Sequence, residues 1–489
     1  MRGYVMLTDG LHKIIDLYSL KGDGFHKWIN WDVQTQAGSD VIVFTYELPV
    51  TDGSVRFEIY YNTADPTDAD GNIIYTARVI GTGTPSTGTI SMANNETVKS
   101  LMPYIKYLRV WDGVKPFAYS YIFSNFTYAE SLTIADSCTL FGIYACKGDT
   151  SLVTARISAG TTAIEQGAFQ DCSALININF PATLTSIGYS AFQKCIALES
   201  VDLSGCAAIN TLGQYCFAYC TALQSVSLPS EGLSQIPNYG FSGCTVLTDI
   251  TIPNSVEYIL QGAFMNCTSL TAITIPDSVV YIRQSAFSGC SALQTVTLGS
   301  GVKDIQQYAF SNTGITTLKT PAALEALGRC TFMGCSQLTH ADLSDSTITI
   351  LDTQMFYNCT ALTECVLPDT VQTIGTETFY GCSLLSSIQL PAALTTIWAS
   401  AFAGCTSLDS ITIPAGVTLI YGSAFKDCSA LALIDMTACS SDIVINSGVF
   451  TTIAQGSVIM VSSAELKAYI ENPDNGIINA DGRTTVELV

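Results

Sequence analysis

A seven-residue marker, Phe-x-x-Cys-x-x-Leu, recurs along the chain at near-constant spacing and constrains the fold more than any other feature. It stands as Phe169/Cys172/Leu175, Phe192/Cys195/Leu198 and Phe217/Cys220/Leu223, and continues to Phe425/Cys428/Leu431. The marker phenylalanines (169, 192, 217, 241, 264, 287, 310, 332, 356, 379, 402, 425 and 450) lie 22 to 25 residues apart, most often 23. A unit this short cannot bury its own apolar face. Each copy must lean on the next, so the repeat predicts a solenoid. A chain of 489 residues is too long for one globular core, and a stacked array avoids that limit by adding core one coil at a time.

The stretch from Leu247 to Phe264 gives the clearest coil. Leu247, Ile250 and Ile252 set an apolar alternation of period two, which predicts a short strand with alternate side chains turned inward. Pro253 then ends it. Proline recurs in that slot at Pro181, Pro229, Pro276, Pro321, Pro368, Pro391 and Pro414, where its missing N–H harms a strand ladder least. A second turn runs through Val256 and Ile259, and an Ala-Phe pair buries the large ring. Between these inward positions, two columns should face water, one from Asn177 to Leu433 and one from Asn179 to Asp435, composed mostly of Thr and Ser.

The whole unit, Leu-x-x-Ile-x-Ile-Pro-x-x-Val-x-x-Ile-x-x-x-Ala-Phe-x-x-Cys, resembles the leucine-rich repeat of the BspA type, found in surface proteins of Bacteroides and other mucosal bacteria and of trichomonad protists. The resemblance spans residues 131–450. It implies a curved right-handed solenoid that adheres to host proteins or other cells, and it brings no catalytic residues. The expected fold is a β-rich leucine-rich-repeat solenoid of about thirteen coils (131–450), preceded by a small all-β sandwich (1–130) and closed by a capping segment (451–489). Cys146 in the Phe slot marks Ser131 to Leu152 as an irregular first coil, and Thr313 replaces the marker Cys after Phe310. Ser457–Pro473 reads as a strand followed by a helix, with Ser462 or Ser463 as its N-cap.

Residues 1–130 carry no cysteine and three of the four tryptophans, Trp28, Trp31 and Trp111. Alternating runs at Val41–Leu48, Val55–Tyr61, Ile73–Ile80, Tyr107–Trp111 and Phe117–Phe126, separated by Gly, Asp and Pro turns, suggest an immunoglobulin-like sandwich. Its tryptophans are read as core in preference to a sugar platform. The loop with Asp65, Asp68 and Asp70 offers carboxylates suited to calcium, but it lacks the closing bidentate Glu and reads first as a hairpin loop.

All 18 cysteines lie at or after Cys138, and eleven occupy one slot of the repeat. That regularity predicts a ladder of buried thiols, with no metal centre and few or no disulfides. The net charge of −21 divides unevenly: residues 1–136 hold 10 basic and 15 acidic residues, and residues 137–489 hold 10 and 26. Such a surface repels phosphate backbones and anionic lipid, so nucleic acid is not expected as a partner. Residues 1–20 show no apolar signal core, and no segment is long enough to enter a bilayer.

Catalysis is not expected and no cofactor is implied. Only His12, His26 and His340 exist, and no nucleophile elbow, phosphate loop or metal-spaced set appears. The binding reading rests on aromatic residues in equivalent slots of adjacent coils: Tyr258/Tyr281, Tyr357/Tyr380, Trp398/Tyr421 and Tyr215/Tyr239. His340 and Asp342, on the Thr/Ser columns, are further ligand-binding candidates. Stacked rings could grip a glycan or an extended protein, or simply support one another. The expected partner is a host or bacterial surface protein or glycan, and the expected location is extracellular or cell-surface if a signal peptide was removed. The alternative is a virion fibre or decoration anchored through its N-terminal domain, and a glycan-active enzyme is the remote one.

Overall fold

The computed structural model describes residues 40–62, 67–68, 73–85, 90–111, 120–479 and 484–489. The chain divides into two compact units, Met1–Pro181 and Ala182–Val489.

In the first unit β1 (Asp40–Leu48), β2 (Val50–Asn62) and β3 (Tyr75–Pro85) form an antiparallel meander. Strand alternation buries Val55, Phe57 and Ile59 on one face of β2. The chain then changes its habit. β4 (Ile105–Val110) pairs in parallel with β3, and β5 (Ser131–Ile134) pairs in parallel with β4. Thr154–Arg156 and Asn177–Ile178 complete one seven-stranded sheet.

Helix α1 (Glu96–Leu101) carries the return from β3 to β4. Asn95 caps it, accepting hydrogen bonds from Thr97 N and Val98 N, and Val98 and Leu101 are buried. Phe57 meets Phe123 and Phe126, each at 6.2 Å between centroids. The core under the meander is thus closed by a helix and turn residues. Among the described residues the second facing sheet of an immunoglobulin-like sandwich is not present, and the parallel ladder already includes β4, upstream of Ser131.

The expected strand at Phe117–Phe126 is the source of that difference. Tyr121 N, Phe123 N and Asn125 N bond to Ile143 O, Ala145 O and Lys147 O of the next coil, so every second residue makes a rung inside a turn. A turn with period-two rungs mimics a strand in sequence. Phe123 and Cys146 therefore fill two marker slots upstream of Phe169, and the coils exceed thirteen. The missing ring at Cys146 is replaced from another side: Phe141 enters from a short strand, Leu140–Phe141, and stacks on Phe169 at 5.0 Å and 18°.

Trp111 is not core. It is 39% exposed, and Arg78 lies 5.0 Å from its ring and 4.1 Å from that of Tyr60, while pairing at 2.8 Å with both Glu58 and Asp40. Trp28 and Trp31 lie outside the described residues.

In the second unit most coils contribute a strand to one row, such as Ala272–Thr274 beside Thr295–Thr297, and a two-residue strand to another, such as Tyr258–Ile259 beside Tyr281–Ile282. The marker turn makes a third side, with Gly262 N, Phe264 N and Asn266 N bonded to Gln284 O, Ala286 O and Ser288 O. Rings from Phe192 to Phe450 form one unbroken stack, 5.1 to 5.9 Å apart and within 15° of parallel. Two turn positions need left-handed backbone. At Gly262 (φ 60) the ring of Tyr239 occupies the place of a Cβ, 2.4 Å from where one would sit. At Gly289 (φ 75) Asn266 Oδ1 does the same at 2.3 Å.

Marker thiols repeat one bond: Cys267 Sγ donates to Phe241 O at 3.1 Å, Cys290 Sγ to Phe264 O at 3.1 Å and Cys405 Sγ to Phe379 O at 3.2 Å. Each thiol thus ties its coil to the preceding one. Thr313 instead turns its hydroxyl to Phe310 O of its own coil at 2.8 Å. At three of the coils without proline, an Asp two residues earlier secures the turn. Asp202, Asp342 and Asp435 accept from the N–H and hydroxyl of Ser204, Ser344 and Thr437 at 2.6 to 3.1 Å.

The end of the unit follows the expected strand and helix. Ser457–Val461 leads to α2 (Ala464–Glu471), and Ser463 caps it by accepting from Leu466 N at 3.2 Å. A further strand, Thr484–Leu488, pairs in parallel with Ser457–Val461.

Candidate functional site

The candidate aromatic residues leave the coils at different slots, and the structure does not gather them into one site. Trp398 and Tyr421 directly follow paired short strands, with Trp398 N bonded to Ile374 O and Tyr421 N to Ile397 O, both at 2.9 Å. Their rings stack at 4.3 Å and 7°. Tyr357 and Tyr380 follow marker phenylalanines and stack at 4.9 Å. Tyr258 and Tyr281 belong to paired strands and stack at 5.5 Å; Arg283 covers the latter, 4.6 Å from its centroid. Tyr215 and Tyr239 stack at 4.9 Å. Of these rings Trp398 (38%) and Tyr380 (37%) are the most exposed.

His340 and Asp342 share a strand, His340–Asp342, and already have partners. His340 Nδ1 lies 3.1 Å from Glu364 Oε2, and Lys319 Nζ lies 3.2 Å from Asp342 and 3.1 Å from Asp345. Hydrogen bonds from Ser344 hold the Asp342 carboxyl below its ordinary range, with Lys319 adding to the effect. Exposed pairs of this kind add little to stability. They order the surface locally.

Sequence reasoning missed a pair of adjoining grooves. One, of about 570 Å³, is lined by Glu199, Thr221, Ala222, Gln224, Val246, Thr248 and Ser269. The second, of about 390 Å³, shares Gln224 and Thr248 and runs over Ser225–Ser227 and Asp249–Thr251. The available signal was coil length: Phe192 to Phe217 and Phe217 to Phe241 span 25 and 24 residues, the one pair of consecutive coils longer than 23 in the marker series.

All 18 cysteines are buried and free, and burial pushes the thiols of Cys216, Cys290 and Cys428 up to about 12. They cannot supply a thiolate at neutral pH. Asp149 takes the place of a marker thiol. It is fully buried, its Oδ1 accepts from Phe126 N at 2.8 Å, and burial raises it well above the carboxylate range. Asp65 and Asp70 lie outside the described residues, so the proposed calcium loop does too, apart from Asp68. No described helix is long and apolar enough to cross a membrane.

The sequence pattern of the family described as BspA type Leucine rich repeat region (6 copies) matches residues 118–221, 210–339 and 349–466. No curated protein matches the chain. Among solved structures, a leucine-rich repeat protein from Bacteroides ovatus is similar over 88% of this chain and 98% of its own, with 22% identity and a TM-score of 0.65. That likeness shows the fold. A leucine rich cell surface protein from Faecalibacterium prausnitzii aligns over 90% of this chain and 98% of its own at 22% identity, with a TM-score of 0.35.

Proposed function

The chain belongs to the BspA-type leucine-rich repeat family, and from that premise we propose that it is a non-enzymatic binding protein presenting its ordered coil surface to protein or glycan ligands at the cell surface. The observation that carries this reading is the Trp398–Tyr421 pair. Its rings are held parallel at 4.3 Å by consecutive backbone rungs, yet the indole keeps 38% of its surface in solvent. A pre-ordered aromatic surface loses little entropy when a ligand covers it, and Trp and Tyr dominate binding hot spots for that reason.

Self-support between the rings is the competing account, worth about 0.5–1.5 kcal/mol for such a pair. The two accounts separate in one experiment. The full chain is screened against protein and glycan arrays, then compared with Trp398→Ala/Tyr421→Ala. Loss of at least tenfold in affinity with a nearly unchanged melting transition is expected. A large stability loss with retained binding overturns the assignment.

A further inference from the structure

The grooves at the first coils of the second unit adjoin a lengthened rung of the strand row. Elsewhere a backbone rung joins the residues that open consecutive strands at 2.9 to 3.3 Å, as from Gln294 N to Thr271 O and Thr339 N to Thr316 O at 2.9 Å, Thr316 N to Gln294 O at 3.2 Å and Asp409 N to Ser386 O at 3.3 Å; within the groove Gln224 N to Glu199 O keeps 2.9 Å. At the groove the equivalent rung, Thr271 N to Thr248 O, stretches to 3.5 Å. The strand ladder breaks at the same place, as it also does between Thr295–Thr297 and Thr317–Lys319. Asp249–Ile250 ends one three-stranded sheet and Ala272–Thr274 begins the next. Coils of 25 and 24 residues precede the break.

The lining is chemically consistent. Thr221, Thr248 and Ser269 offer hydroxyls, Gln224 offers an amide that both donates and accepts, and Ala222 and Val246 give a small apolar patch. Glu199 is the one charged residue in the larger groove and Asp249 the one in the smaller. Both are acceptors only when ionised. The groove, of about 570 Å³, is shallow and open to solvent, with Glu199, Thr221, Gln224, Val246 and Thr248 all exposed.

We propose that these grooves seat a neutral saccharide. Its hydroxyls would bond Gln224, Thr248 and the Glu199 carboxylate while a ring C–H face rests on Val246. Anionic sugars are disfavoured by Glu199, by Asp249 and by the chain's net charge of −21. The inference deepens the binding reading by naming a ligand class, and it concerns coils other than those of Trp398 and Tyr421.

The test uses the full chain on an array of neutral and of sulfated or sialylated oligosaccharides, with isothermal titration of any neutral oligosaccharide that binds. Val246 is exposed, so Val246→Trp fills the groove without entering the core; Gln224→Ala removes the amide. Each should weaken neutral-saccharide binding at least tenfold with an unchanged melting transition. Preference for anionic glycans, retention of binding in Val246→Trp, or no saccharide bound at all overturns the proposal. Protein ligands on the companion array, lost with the Trp398 pair, would leave the broader reading standing.

Discussion

Phe141 and Cys146 provide a sharp test of how rings fill the array. Phe141 pairs in register with Ile164 and so belongs to a slot that normally holds an aliphatic residue, while Cys146 occupies a slot that normally holds Phe. The Phe141 ring sits 5.0 Å from that of Phe169, where the absent marker ring would stack. Cys146→Phe alone brings a second ring into filled space and should cost about 1–3 kcal/mol by overpacking. Phe141→Ile alone leaves a void and should cost roughly 1–3 kcal/mol, less than the 3–5 of a Phe→Ala change. Combined, the substitutions restore the regular coil, so the losses should largely cancel. The expected interaction term therefore approaches the sum of the two single losses. A long array need not unfold in one step, so the readout is local. Native-state hydrogen exchange is followed at Cys146 N and Gly148 N, which bond to Ala168 O and Gln170 O at 2.8 Å. If the double variant loses protection as the sum of the single losses, the two rings do not compete for one space and the reasoning fails.

Asp149→Asn should strengthen the same region at neutral pH. Burial raises the folded-state Asp149 carboxyl, although the bond from Phe126 N opposes the shift. The folded chain therefore holds a proton that the unfolded chain releases above about pH 4, and stability falls as pH rises through that point. Asn keeps the acceptor for Phe126 N without the charge. Protection factors should rise at pH 7 and stay unchanged at about pH 3.5; an equal gain at both would refute the ionisation argument. The marker thiols give a second check. A thiol-specific reagent should label none of the 18 cysteines in the native chain and label them as denaturant opens the coils. Rapid native labelling of Cys267 or Cys290 would show that these thiols are not interior donors.

The solenoid was legible because its inward residues obey one rule many times. Phe264, Cys267 and Leu270 are fully buried as their repetition requires, and Pro253 stands just beyond a strand end. The Asp-x-Ser/Thr turns at Asp202, Asp342 and Asp435 were not foreseen as substitutes for proline, since each looks like ordinary loop chemistry until its register is known. The N-terminal part was harder for a similar reason. In residues 120–126 the apolar alternation comes from rungs made by a turn, and period two alone does not distinguish these from strand rungs.

The grooves were hidden by a different kind of problem. A buried slot is defined within one coil, so thirteen markers vote on it. A binding surface is defined between coils, by which columns align and where a rung is missing. Thr248 reads as another solvated Thr among many; only the 3.5 Å bond that its carbonyl accepts from Thr271 N marks the strand row as loosened there. In a repeat protein, then, regularity reports stability and departures from it are where binding should be sought. The Trp398–Tyr421 pair tests the complementary case, a surface built with the ladder intact. If groove variants alter saccharide binding while that pair controls a separate ligand, the array uses both. If one set controls every ligand, only one of these two ways of building a surface serves recognition here.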